Sequence, residues 1–465
     1  MEVKHFISPN ETFGKTDSQS IQNAVNLAHE SGINRVVIPR KNARTNGLFW
    51  EIDETILLPS NMTIILEDAH LIMADDVMCN FFRNENAYTE KALLQPGKQH
   101  NITIRGIGSA VLDGGKTNGL DETTSLKNGY PHVSMNTPIF FINVEQFAVE
   151  NISITNHRYW GMRFEFCSKG KIHDIYFDCV CDRRNQDGVN LRNGCHDIVI
   201  ENIHGQTGDD MIALSAIDTE HFAQKEETKK YNFIVQGLPW DIHDVVIRNV
   251  SGSAIHHPLV ALRNSNGAKM YNITIENITD TAQTRLARVD HLDRYALIRI
   301  GNNSYHAIRP SEMGETYGIT VRNVHANFSS RVLAVQATLK NCHFSNIHAS
   351  ATCNSIIACT PKWANGEEGV QMENVVIDGV FFKPDDTAVA KEGVWTYPEE
   401  LVSSKVVDLS KMRENDYVKN LYIQNVFLEN VDALAEVDET AKDRVDIHFN
   451  NVVADKEQSK EIQYV

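Results

Sequence analysis

The hydrophobic positions of this chain fall into a short phrase that returns along its length: apolar, any, apolar, any, then usually asparagine. Clear copies are Ile152–Asn156, Ile198–Asn202, Val245–Asn249, Ile273–Asn277, Ile319–Asn323 and Leu421–Asn425, with weaker ones at Ile102–Gly106, Ile175–Cys179 and Val375–Gly379. Alternation over so few residues is a strand signal, every second side chain facing a core. The asparagine suits a turn, because its amide bonds neighbouring backbone and tolerates left-handed geometry. Taking the second apolar residue as an anchor gives positions 154, 177, 200, 247, 275 and 321, in steps of 23, 23, 47, 28 and 46. One coil of roughly 23 residues, lengthened in places by a loop, accounts for these steps and marks a solenoid.

The pattern therefore predicts an all-β chain, a single-stranded right-handed parallel β-helix in which the asparagines stack as a ladder. An antiparallel sandwich needs no asparagine at one phase and fits less well. The N-terminus departs from the repeat. Thr16 or Asp17 can cap a helix whose Ile21, Ala24, Val25 and Ala28 follow helical spacing, Gly32 closes it, and strand-like Val36–Pro39 comes next. Such a helix and strand would cap the end of the coil stack, where strand edges are otherwise unpaired. The expected organisation is a cap with the first coils over 1–95 and the parallel β-helix over 96–465. Its chemistry-bearing coils span about 150–305, with loop insertions near 217–240, 280–295 and 382–418.

Composition narrows the function classes. With 465 residues, 42% of them hydrophobic, the chain can bury a large core. Its net charge of −17 argues against nucleic acid as the partner, while a local basic patch can still accept an acidic small molecule. No stretch approaches the length of an apolar membrane span. The first residues lack the basic-then-apolar layout of a secretory leader, so the chain either stays in the cytoplasm or has had its leader removed. The eight cysteines form no C-x-x-C pair and read as reduced, mostly buried thiols, which points to the cytoplasm. Nothing in the sequence asks for a cofactor or a metal, and the oligomeric state is open.

Counting ten residues on from anchors 177, 200 and 247 reaches Asp187, Asp210 and His257, with Asp209 beside Asp210. Adjacent coils lie about 4.8 Å apart, so residues of equal phase stack on one face. Carboxylates gathered in this way repel, which favours one of them keeping a proton for general acid work. Turn aspartates or a calcium site are the plainer explanations of D-G and G-D-D, and the shared register favours catalysis over both.

The phrases Asn185-Gln186-Asp187 and Asp209-Asp210, at this spacing, resemble the N-T-D and D-D motifs of glycoside hydrolase family 28, the polygalacturonase-like enzymes of the pectin lyase-like β-helix superfamily. The resemblance implies inverting hydrolysis of a pectic or related uronate-containing carbohydrate. In it Asp209 is the general acid, Asp187 and Asp210 activate water, and His257 matches the G-H-G histidine. Two departures stand out. The third motif reads AIHHPLVALRN, without flanking glycines. Counted back from the following strand, Pro258 takes the histidine's phase, so either a one-residue bulge reconciles the counts or His256 takes the role. The fourth motif reads Arg299-Ile300-Gly301, with glycine where the family has a uronate-binding lysine. Aligning Leu191, Leu214, Leu262 and Ile300 puts Arg192, Ser215, Arg263 and Gly301 in one column, so Arg192 or Arg263 can supply the missing charge beside Arg299. Asn185 and His256 complete the candidate binding set, and His157, Tyr159 and Trp160 read equally as groove wall or core. A β-helical lyase with a calcium-binding aspartate cluster, or a glycan-binding β-helix without catalysis, are the alternatives.

Overall fold

The computed structural model describes residues 5–120, 133–180, 185–217, 234–254, 257–282, 296–301, 309–351, 353–359, 370–384 and 404–465. The expected loop insertions fall largely outside the described residues. The chain forms two compact units, Met1–Asp209 with Thr219–Pro239, and Asp210–Asp218 with Trp240–Val465.

The first unit opens with the expected cap. The helix Asp17–Glu30 starts where the Thr16 side chain accepts from the Gln19 amide, and it buries Ile21, Ala24, Val25 and Ala28 completely. The strand Arg35–Pro39 follows and pairs in parallel with Thr63–Glu67. From there the chain shuttles between two parallel sheets. One continues through Gln99–Ile107, Val144–Thr155, Ser168–Asp178 and His196–Thr207. The other is built from Ile56–Leu58, Phe82–Asn84, Ile139–Ile142, Met162–Glu165 and Val189–Arg192. The second unit repeats the scheme, from Ile242–Ala254 to Val445–Ala454 in one sheet and from Ile212–Ile217 to Ile462–Tyr464 in the other. The fold is the right-handed parallel β-helix.

Asparagine ladders hold the coil corners. In the second unit Asn277 donates to Asn249 at 2.8 Å, Asn323 to Asn277 at 2.9 Å, and Asn346 to Asn323 at 3.1 Å. Each of these asparagines has φ between 52° and 58°, the left-handed region that asparagine tolerates. The corner residue drops out of the strand register, so Arg248 pairs with Glu276 and Val250 with Ile278.

The ladder corrects the repeat count in one place. Asn202 lies level with Asp174, to which it donates at 2.8 Å, and Asp174 lies level with Asn151. The residue paired with Ile200 is therefore Ile172, and Phe177 pairs with Gly205. The apolar phrase flanks both sides of a corner, and the copies at 152–156 and 175–179 belong to the later side. The step at this point is 28 residues, and counting ten from 177 and from 200 does not follow one column.

The seven described cysteines are all buried and outside any disulfide, and Cys181 lies outside the described residues. Burial pushes the thiols of Cys79 and Cys167 up to about 12, which leaves them protonated and inert at neutral pH. Among the described residues no helix is long and apolar enough to cross a membrane.

Candidate active site

The acidic motifs sit where the chain enters strands of the second sheet in each unit. Asp187 precedes Val189–Arg192 by two residues, and Asp210 precedes Ile212–Ile217 by two. Each carboxylate thus stands two residues before a strand of this sheet in its own unit, although the count that suggested a shared phase ran through the other sheet.

In the first unit, Gln186 knits the two motifs together. Its buried side-chain amide donates to the His157 carbonyl at 2.9 Å, and its own carbonyl accepts from the amides of Gly208 and Asp209 at 3.1 and 3.2 Å. The Asp187 carbonyl accepts from Gly161 at 2.8 Å, and Thr207 Oγ1 donates to the Asp209 carbonyl at 2.8 Å. Asp187 is 2% exposed, whereas Asp209 is half-buried. Asn185 takes φ 60° at the turn before them. Sequence reasoning passed over Gln186, although a glutamine inside an acidic turn motif is itself a signal.

The same unit carries an unexpected charged cluster. Phe164 packs on Phe141 and Phe147 in the core, so its strand neighbours Arg163 and Glu165 face the opposite side of the sheet. Both are buried, and Arg163 Nε donates to Glu165 at 2.7 Å. Burial pulls the Arg163 guanidinium down, and the Glu165 carboxylate more than offsets it, holding Arg163 above the usual arginine range. Arg192, on the neighbouring strand beside Glu165, lies 3.6 Å from it, and both guanidiniums lie 5.5 Å from the Trp160 ring centre. Trp160 stacks on Tyr159, while His157 is fully buried with its ring edge-on to Phe177. His157 is therefore core.

In the second unit, Asp210 is 1% exposed and is clasped by two arginines. Arg263 Nη2 donates to it at 3.1 Å, and Arg299 Nη2 lies 3.4 Å from both of its oxygens. His257 Nδ1 is 3.8 Å from Asp210, although the strand register puts Pro258 at the same phase as Asp210. His256 lies outside the described residues. Arg263 also donates to Ser215, its strand partner, at 2.9 Å. Arg299 lies between Ala261 and Ala334, whose small side chains leave room for its guanidinium against the sheet. Its Nε and Nη1 make no hydrogen bond among the described residues, and the side chain is 2% exposed.

Gly301 differs from the family lysine in backbone as well as side chain. Its φ is 100°, and a Cβ there would fall 2.6 Å from the Gln336 carbonyl carbon and 2.7 Å from the Ala337 side chain. Gly301→Lys is therefore expected to destabilise the protein by about 1–3 kcal/mol, the cost of a strained backbone position, and to add no activity on uronate polymers. A urea midpoint equal to the parent's, or a gain in turnover, would refute this reading.

Residues 53–225 match the model of glycosyl hydrolases family 28. Over that stretch the sequence is similar to family 28. Asn185, Asp187, Arg192, Asp209 and Asp210 lie inside the matched stretch, and His257, Arg263 and Arg299 lie beyond it. No curated protein matches the sequence. Among solved structures the chain is similar to a family 28 exopolygalacturonase of Yersinia enterocolitica, at 13% identity and TM-score 0.51, over 98% of this chain and 79% of that one. A hyperthermoactive exopolygalacturonase of Thermotoga maritima is 15% identical, with TM-score 0.50, over 96% and 91%. A tailspike protein of E. coli bacteriophage HK620, solved with a pentasaccharide, is 13% identical, with TM-score 0.62, over 98% and 77%. At these identities the structural likeness speaks for the fold alone. The family match supports a glycan hydrolase for a pectin-like substrate.

Proposed function

We propose that this chain hydrolyses a uronate-containing pectic oligo- or polysaccharide with inversion. Asp209 is the general acid that protonates the glycosidic oxygen. Asp187 and Asp210 are the carboxylates that activate the attacking water, the division of labour of two-carboxylate hydrolysis. The observation that carries the reading is the unequal setting of the two neighbouring aspartates. Asp210 is buried and used as an acceptor by Arg263 and Arg299, while Asp209 is half-buried. A carboxylate bound by two guanidiniums serves as an anion, and a partly open one can exchange a proton with substrate. Arg299, with Nε and Nη1 available among the described residues, is the substrate-binding arginine, and His257 orients the group beside Asp210.

The arginine clasp also weighs against a calcium-dependent lyase. Two cationic side chains on the Asp210 carboxylate oppose a divalent cation at the same oxygens. Incubation with polygalacturonan is expected to yield saturated products whose new reducing ends have the inverted anomeric configuration, at a rate unchanged by a chelator. Unsaturated products, or activity abolished by chelation, would replace hydrolysis with elimination. Tight binding without product would leave a glycan-binding β-helix.

A further inference from the structure

The cluster on the outer face of Met162–Glu165 and Val189–Arg192 has no part in the acid–base chemistry, yet it is built as a site. Glu165 lies between the guanidiniums of Arg163 and Arg192, and its tight pairing is with Arg163, through Nε at 2.7 Å and through Nη2. Arg163 is 3% exposed in its side chain and Arg192 is 14% exposed, so Arg192 is the member that reaches solvent. The Trp160 ring lies 5.5 Å from each guanidinium, a distance at which the ring quadrupole holds a cation in place. Two residues before Arg192 on the same face, Asn190 is 1% exposed, and its Nδ2 makes no hydrogen bond among the described residues. A buried amide donor without an acceptor is costly unless a ligand supplies one. These donors sit beside the candidate chemistry, since the Trp160–Gly161 segment holds the Asp187 carbonyl at 2.8 Å.

We propose that Arg192 and Asn190 form a subsite for the carboxylate of a hexuronate unit, with Glu165, Arg163 and Trp160 as positioning residues. The proposal rests on the hydrolase reading above and names where that substrate's charge is recognised. The donor set suits a planar anion: a guanidinium offers a two-pronged edge to a carboxylate, and an amide adds a third donor from the same strand face. Placing this function in the first unit fits the loss of the lysine at Gly301, where the backbone leaves no room for any side chain.

The test is calorimetric titration of trigalacturonate into the Asp209→Asn protein, beside the same trisaccharide as its methyl ester. The free acid is expected to bind at least about tenfold more tightly than the ester, and Arg192→Gln in the same background is expected to remove that difference. Arg192→Lys should restore part of it, because the charge returns without the two-pronged geometry. Equal affinity for acid and ester, no binding of either, or a preference that survives Arg192→Gln would overturn the subsite. The first measurement needs no change at Arg192, so a variant that failed to fold would not hide the answer. If the parent protein cleaves polygalacturonan yet shows no acid preference, the subsite falls and the hydrolase stands. If it binds the acid selectively but cleaves nothing, the subsite stands and the hydrolase falls.

Discussion

Asp209→Asn is expected to lower turnover on a pectic polymer by at least about a hundredfold while leaving the fold intact, the low end for loss of a general acid. The side chain is half-buried and the residue's place in the turn comes from its backbone, whose amide bonds the Gln186 carbonyl and whose carbonyl accepts from Thr207. An amide of the same shape keeps those bonds and loses only the transferable proton. Reducing-end release by the variant, together with an unchanged urea midpoint, checks both halves. A variant retaining more than a tenth of the parent rate would remove Asp209 from the acid role.

Asp210→Ala should behave differently, costing stability as well as rate. Removing this carboxylate leaves Arg299, 2% exposed, and Arg263, 14% exposed, facing each other without their shared acceptor. Breaking a buried pair by deleting one partner typically costs about 3–5 kcal/mol, because an uncompensated charge remains inside. The urea midpoint should fall by a large fraction of the parent value, and Asp209→Asn should show no such fall. A midpoint within error of the parent would mean that solvent or neighbouring groups already screen the two arginines.

Much of this was legible in the sequence because a β-helix repeats its own grammar. The alternation gave the strands, the asparagines gave the corners, and NQD with GDD gave the acidic turns. The count failed at 177 to 200 because the same apolar phrase occurs on both sides of a corner, and only pairing distinguishes Asn151 and Asp174 from Asn156 and Cys179. The cluster at Arg163 and Glu165 was hidden for another reason. A charged residue at an outward strand position reads as solvent-facing, and nothing local says that other chain covers it. The clue was available in Met162–Glu165, where two charges alternate with core residues beside the apolar strand Ile139–Ile142. Gly301 could be seen as a missing lysine but not as a missing Cβ, since the positive φ is set by packing against Gln336 and Ala337.

The asparagine corners have a consequence for how such a chain can change. The rungs from Asn249 to Asn277, Asn277 to Asn323 and Asn323 to Asn346 span 28, 46 and 23 residues, yet their hydrogen bonds are 2.8, 2.9 and 3.1 Å. The corner is indifferent to how much chain intervenes, because it fixes the next strand by its own geometry. Segments can therefore be lengthened, shortened or exchanged between coils while every strand keeps its partner. This separates heredity of the frame from variation in the turns: a new ligand can be met by rewriting one turn, with the rest of the protein left as it was.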